Sequence, residues 1–385
     1  MSSSIEGPAA GTDESDVEDT PAAAVARARE VLWLQEVLLQ RTRACGLIQR
    51  EPGNAIARFL FSSAMTRPVD ERGDAVLPGH DTSDASLCSE LAKAGFSADA
   101  ALKVCQDLCT ASREAAGRVV AVQGSAATGQ VFLVQLDGEY RLMWKNESVR
   151  ISAPHLYTLR RLYRAHTKED ATDSAFCRRL FCALKRYDAI GGPTYQCSVP
   201  CVVFAALEAE FGAVKECFAS PFNHNAEIYW SAFADTDRFF GSHGDFFAAQ
   251  DSALVQEGGF FYANPPFVEE HITRLGECVQ RVLKLPVAVT FAVVLPTWTD
   301  TVCYAWMQGS AYTKMHLVLP AGKHEYVDGR QQVHTRWRTR SVARFSSTCF
   351  VLQNEAGAAA RPVDDGTRRR VLASFANSAG AVGVV

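Results

Sequence analysis

An α/β fold is predicted, with a largely parallel, helix-covered sheet in the second half of the chain behind a mostly helical first half. Three observations carry this. From Val199 onward, apolar runs of strand length alternate with helical periods. One of them, "VAVTFAVVLP", is apolar throughout, as a strand covered on both faces requires. Before residue 190 the dominant period is helical, interrupted by short β-type runs separated by Gly-containing turns.

The first 21 residues, Ser/Ala/Gly-rich with Glu6, Asp13, Glu14, Asp16, Glu18 and Asp19, read as a disordered acidic tail. Residues 22–190 read as a helical domain. "VARAREVLWLQEVLLQRTRACGLI" places Val31, Leu34, Leu38, Cys45 and Ile48 on one stripe. "SLCSELAKAGFSADAALKVCQDLCTAS" gives two further short helices. "RVVAVQG", "QVFLVQLDG" and "EYRLMWKN" then predict a small β meander, followed by helices in "HLYTLRRLYRAHT" and "SAFCRRLFCALKRYDAI". "GGPTYQ" reads as a boundary.

A core over 191–360 follows. "VPCVVFAALEAEFG" is a helix with Ser198 as N-cap, Pro200 in its first turn and Gly212 at its end. "VKECFAS", "GGFFYA", "MHLVLPAG" and "SSTCFVLQN" are strands, and "VEEHITRLGECVQRVLKL" is an amphipathic helix with Ile272, Leu275, Val279 and Leu283 on one face. Residues 361–385 read as a C-terminal tail.

Composition narrows the function classes. The 385 residues are 48% hydrophobic and 21% charged, as in a globular protein with a substantial core. No apolar run is long enough to span a bilayer and no signal core opens the chain, so a membrane partner is not expected and a nuclear or cytoplasmic place is. The 12 Cys form no CxxC pair; Cys105 and Cys109, and Cys197 and Cys201, lie four apart but have no His or Cys partners at zinc-finger spacing, so no metal is expected. A net charge of −4 does not announce a nucleic-acid binder, so any RNA contact needs a local patch.

The residues that carry chemistry are Asn264, Pro265, Pro266 and Phe267, after the strand "GGFFYA". Two readings stand open. Asn is a good N-cap and Pro suits a first helical turn, so the four residues could simply start the helix that follows. Alternatively, they sit where open α/β sheets bind ligands, beyond the carboxyl end of a strand. Methylating an adenine amine is difficult because its lone pair is delocalised into the ring. An Asn264 side-chain oxygen and a Pro265 carbonyl that accept its two N–H bonds would turn that lone pair toward the incoming methyl. The prolines would fix the direction of the carbonyl, and Phe267 would stack on the base.

"ANPPF", together with "ECFASPFN", "YWSAFADTDRFFGS", "VLPTWTD", "HEY" and "FVLQNEAG" in that order, closely resembles the cap-specific adenosine N6-methyltransferases, also called the phosphorylated CTD-interacting factor family. The series covers roughly Val199 to Gly357. The resemblance implies a Rossmann-like class I methyltransferase core, S-adenosyl-L-methionine as cofactor, and capped mRNA as substrate. It also implies methylation at N6 of the 2′-O-methyladenosine next to the 7-methylguanosine cap. An adenine methyltransferase for other RNA or DNA, or a non-catalytic cap-binding module, are the alternatives. Family members often carry an N-terminal WW domain; the residues before Ala22 hold no paired-Trp, Pro-ended module, so binding to the RNA polymerase II tail is not expected.

Phe218, Ala219, Ser220, Pro221 and Asn223 are matched to the family's cofactor loop, where the alternative is an ordinary strand exit. Asp235 and Asp237 could accept hydrogen bonds from a ribose or an amino group, or could simply form a turn. Arg336, Arg338 and Arg340 alternate in a way that suits phosphate oxygens or a charged strand edge. Trp298 could stack on a methylated guanine or pack internally. His324 and Tyr326, of "HEY", are expected on the RNA side.

Overall fold

The computed structural model describes residues 18–45, 55–66, 74–79, 84–123, 129–136, 139–168, 170–191, 193–329 and 340–380. Helices dominate the first half: α1 (Pro21–Ala44), α2 (Ala55–Thr66), α3 (Ala85–Lys93), α4 (Ala98–Gln123), α5 (Ala153–His166) and α6 (Asp173–Ile190). Between α4 and α5 runs an antiparallel meander of β1 (Phe132–Leu136), β2 (Glu139–Trp144) and β3 (Glu147–Ile151). The predicted strand "RVVAVQG" is instead the last turns of α4, where Val119 is buried. Local β propensity there yields to a long helix packed along α1. Val31, Leu34 and Leu38 line the buried stripe of α1 as expected; Cys45 is exposed, and Ile48 lies outside the described residues.

Of the expected acidic tail, Glu18, Asp19 and Thr20 are ordered parts of the fold, and residues 1–17 lie outside the described residues. Thr20 caps α1 by accepting the Ala23 N–H. Asp19 is 2% exposed and pairs with Arg27 of α1 at 2.9 Å and Arg186 of α6 at 2.5 Å. Arg27 also pairs with Asp74, and Arg186 with Asp235. A buried carboxylate requires such partners, and these bring the start of the chain, two helices and the second half together.

The second half contains α7 (Cys201–Phe211), β4 (Val214–Ala219), β5 (Ile228–Ser231), α8 (Ala234–Asp237), α9 (Ala253–Gln256), β6 (Gly259–Ala263), α10 (Glu269–Val282) and β7 (Val289–Pro296). It continues with α11 (Val302–Gly309), β8 (Thr313–Leu319), β9 (Glu325–Val327), β10 (Arg340–Val342), β11 (Ser347–Gln353), α12 (Glu355–Ala360) and α13 (Asp365–Gly380). Six strands form one mixed sheet in the order β5-β4-β6-β7-β11-β8. The β4–β5, β4–β6 and β6–β7 pairs are parallel, whereas β11 runs antiparallel between β7 and β8.

Both faces of the sheet are covered. Cys217, Phe261, Phe291 and Val293 pack beneath α10 and α11, and Val214, Phe260, Tyr262 and Val294 pack beneath α7 and α13. This explains why β7 is buried at every position. The expected C-terminal tail is helix α13, anchored on α7 through Val371 and Phe375, which are 0% and 1% exposed. Ser198 is not the N-cap of α7; Pro200 holds that place, and Ser198 exchanges backbone hydrogen bonds with Val327 of β9. Among the described residues no helix is long and apolar enough to cross a membrane.

Candidate active site

The chain leaves β4, adds β5 on one side and then crosses to place β6 on the other. Such a reversal opens a crevice beyond the carboxyl ends of the two central strands. A cleft lies there, with about 520 Å³ of empty space including its open mouth. β4 and its exit supply Cys217, Phe218, Ala219, Ser220 and Asn223; the end of β5 supplies Ser231 and Ala232; and the β6 exit supplies Asn264 and Pro266. The far wall comes from the helical half and its connection: Phe61 of α2, Tyr187 of α6, and Tyr195, Gln196 and Cys197.

Asn264 resolves the first of the two open readings. Helix α10 begins at Glu269 with Val268 in the cap position, so Asn264 caps nothing. Its Nδ2 donates to the Cys197 carbonyl at 2.9 Å. Its Oδ1 is buried and has no hydrogen-bond partner among the described residues. A buried polar atom without a partner costs about 1–3 kcal/mol, and an orphan of this kind in a cleft asks for a ligand donor. The Pro266 carbonyl accepts the Val268 N–H at 2.7 Å. The Pro265 carbonyl takes no hydrogen bond from any described residue.

Phe267 stands apart from the cleft walls. It is half-buried and meets Tyr326 and Phe345 edge to face, at centroid distances of 5.9 and 5.8 Å. Phe345 is 43% exposed, so this aromatic group reaches the surface.

The β4 exit is a tightly bonded loop. Asn223 Oδ1 accepts from the Ser220 N–H and hydroxyl at 2.8 and 2.9 Å, and its Nδ2 donates to the Gln196 carbonyl at 3.0 Å. Asn223 therefore shapes the loop, with both ends of its amide occupied. Pro221 lies in the same loop but not on the cleft wall. Below the loop, Glu216 of β4 is 2% exposed and accepts the Asn225 and Ala226 N–H groups. Burial pushes its carboxyl up to about 8.

Asp235 and Asp237 are not among the residues that line the cleft. Asp235 pairs with Arg186 at 2.5 Å. Asp237, fully buried, accepts the Tyr187 hydroxyl at 2.6 Å and the Thr236 hydroxyl at 3.0 Å, and burial raises its carboxyl to about 6. Both carboxylates are spent on fastening α8 to α6, which corrects their assignment as cofactor acceptors. The carboxylate on the cleft wall is Asp245, which accepts the Phe247 N–H at 2.9 Å beside Phe246. Its signal in the sequence was the glycine-punctuated "GSHGD".

His324 and Tyr326 are also corrected. They are 1% and 4% exposed, and both bond the Ser347 hydroxyl at 2.8 Å. His324 Nδ1 lies 3.1 Å from the Pro320 carbonyl, an acceptor, so this nitrogen carries the proton; burial lowers the pKa and keeps the ring neutral. They brace β9 against β11 and offer no face to RNA. Trp298 follows β7, half-buried against the α10–α11 side of the core. Arg340 opens β10 and is partly exposed, whereas Arg336 and Arg338 lie outside the described residues. Among the described residues no group of three or more His, Cys, Asp or Glu could hold a metal ion.

The fold and cleft together define an α/β protein with a cleft at the switch point of its sheet and a buried amide oxygen, without a partner among the described residues, on the cleft wall. Comparison with known proteins is more specific. The chain is 35% identical over 225 residues to the mRNA (2'-O-methyladenosine-N(6)-)-methyltransferase of Homo sapiens, and 34% identical over 228 residues to that of Mus musculus. Each match covers 56% of this chain but 31% of the relative, so the chain spans about a third of the length of these proteins. The resemblance read from the motif series is borne out over that part of the chain. A family model described as the Phosphorylated CTD interacting factor 1 WW domain matches residues 158–329. That match overturns the expectation that nothing of this description is present. The expectation rests on the residues before Ala22, whereas the match runs from within α5 to just past β9.

Proposed function

We propose that this chain transfers a methyl group from S-adenosyl-L-methionine to N6 of the 2′-O-methyladenosine that follows the 7-methylguanosine cap of mRNA, in the nucleus. One observation carries the chemistry: Asn264 Oδ1, buried on the cleft wall and without a partner. The strand order, with its reversal between β4 and β6, supports a Rossmann-like methyltransferase core over 191–360. The helices before residue 190 are read as a domain packed in front of it, since α2 and α6 furnish cleft residues. The relatives' names supply the substrate.

The cleft suits the cofactor. Its walls are largely apolar and aromatic, and a few polar groups converge on it. Phe218, Ala219, Ser220, Ser231, Ala232, Asp245 and Phe246 are the residues that would hold it, with Asp245 offering a carboxylate to hydroxyl or ammonium hydrogens. Bound there, the cofactor supplies an electrophilic methyl group.

The chain's own residues prepare the amine. Asn264 Oδ1 accepts one N–H and the Pro265 carbonyl the other, so the nitrogen lone pair leaves conjugation with the ring. Both acceptors are neutral and hold the hydrogens without removing one; the released proton leaves with water. These bonds strengthen as the nitrogen becomes tetrahedral, so they favour the transition state over the ground state. Phe267, backed by the buried Tyr326 and beside the exposed Phe345, offers an aromatic surface beside the motif for a base.

The test is to supply labelled cofactor with capped RNA, uncapped RNA and DNA. Transfer to capped RNA alone is expected. Equal transfer to uncapped RNA or DNA would replace this reading with a general adenine methyltransferase. Cap binding without transfer would leave a binding module.

A further inference from the structure

The orphaned oxygen of Asn264 is useful only if it points the right way, and its direction is set from outside the motif. Only Nδ2 is anchored, on the Cys197 carbonyl, so that carbonyl decides where Oδ1 faces. Cys197 lies in a strap, residues 195–198, that joins the helical half to the sheet and forms one wall of the cleft. The strap is held at both ends. The Gln196 side chain donates to the Tyr187 and Gly191 carbonyls at 3.2 and 2.8 Å, and Asn223 donates to the Gln196 carbonyl. Ser198 and Val327 exchange backbone hydrogen bonds at 3.0 and 2.7 Å.

Gly329, two residues past Val327, closes the arrangement. A Cβ on it would stand 2.0 Å from the Gln196 carbonyl oxygen and 2.4 Å from the Gln196 Cβ. The carbonyl oxygen and, at 2.6 Å, the carbonyl carbon of Gln196 are backbone atoms, which cannot turn aside as a flexible side chain does. The strap therefore rests on the Gly329 backbone, and a side chain there must push Gln196 and Cys197 off their present line.

We infer that Gly329 is a positioning residue: its bare backbone seats the strap so that the Cys197 carbonyl holds the Asn264 carboxamide with Oδ1 toward the target amine. The inference deepens the methyl-transfer reading and rests on it. Positioning of this kind is demanding, since misplacement by about 1 Å can cost on the order of a hundredfold in rate. The substitution Gly329→Ala should lower kcat between tenfold and a hundredfold and leave S-adenosylhomocysteine affinity within about threefold of the parent.

The deciding experiment is a double-mutant cycle on methyl transfer with Asn264→Ala, joined to an NMR readout that needs no activity. If Gly329 acts through Asn264, Gly329→Ala adds nothing in the Asn264→Ala background. Multiplied losses would overturn the inference. In protein labelled with ¹⁵N-asparagine, the carboxamide signal missing from Asn264→Ala identifies Asn264; that signal should shift in Gly329→Ala. An unmoved signal overturns the inference even if the parent transfers no methyl group, in which case the activity reading falls separately. Should Gly329→Ala fail to fold, Gln196→Leu, which frees the strap's other anchor, enters both measurements with the same two outcomes.

Discussion

Asn264→Ala separates stability from chemistry. In the folded protein the substitution removes one hydrogen bond, Nδ2 to the Cys197 carbonyl, with a net worth of about 1 kcal/mol. It also removes Oδ1, whose burial without a partner costs about 1–3 kcal/mol. The two effects oppose each other, so folding stability should change little or rise slightly. Catalysis has no such compensation. The lost acceptor is one whose bond tightens in the transition state, and removing a group of that kind costs about a hundredfold to a thousandfold in turnover. The assay is labelled-methyl turnover at saturating substrates, with thermal melting and S-adenosylhomocysteine calorimetry on the same preparations. Turnover should fall at least a hundredfold while melting temperature and cofactor affinity stay near the parent values. Parental turnover would refute the reasoning. So would a loss of activity accompanied by a large drop in stability, because the residue would then be structural.

Further expectations follow from the site. Glu216 ionises at about 8 when folded against an ordinary 4.5, so its contribution to stability is full below 4.5 and lost as the pH rises through 8, a difference on the order of 5 kcal/mol. Glu216→Gln keeps an acceptor for the Asn225 and Ala226 N–H groups without the charge; its melting temperature should match the parent's at pH 5 and exceed it at pH 9, and equal curves at both would refute the assignment. Asp245→Ala should weaken S-adenosylhomocysteine binding by tenfold or more in calorimetry, while Asp235→Ala, which breaks a pair with Arg186, should lower the melting temperature. Phe267→Ala removes a platform worth roughly 1–3 kcal/mol to a stacked base, so KM for capped RNA should rise and cofactor affinity should hold.

Much of the second half was legible because its elements leave strong local marks. β7 is a continuous apolar run because it is covered on both faces, and α7 ends at Gly212 with φ +94°, where the chain needs that residue. Strand β5 escaped notice because four residues, "IYWS", carry too little alternation to register. The end of α4 and helix α13 were misread for a shared reason. Composition there suggested strand and tail, and long-range packing of Val119, Val371 and Phe375 decided otherwise. The motif singled out Asn264, which the fold sets on the cleft wall, but nothing local revealed that Cys197 would hold its amide from 67 residues away. The acidic residues show the same limit. "DTD" and "GSHGD" look equally able to meet a ligand, and only the fold turns Asp235 and Asp237 toward Arg186 and Tyr187 and leaves Asp245 on the cleft wall.

The central claim is that the amine held at Asn264 is N6 of the cap-adjacent 2′-O-methyladenosine. The most direct measurement incubates the protein with S-adenosyl-L-methionine and an RNA that carries both that cap structure and internal adenosines. Nuclease digestion and mass spectrometry then weigh the cap nucleotide and the internal nucleosides separately. The account predicts one added methyl group, 14 Da by the chemistry of replacing N–H with N–CH₃, on the cap-adjacent adenosine alone, and none there when Asn264→Ala replaces the parent. A methyl group on internal adenosines to the same extent, or a cap nucleotide unchanged in mass by the parent protein, would contradict it.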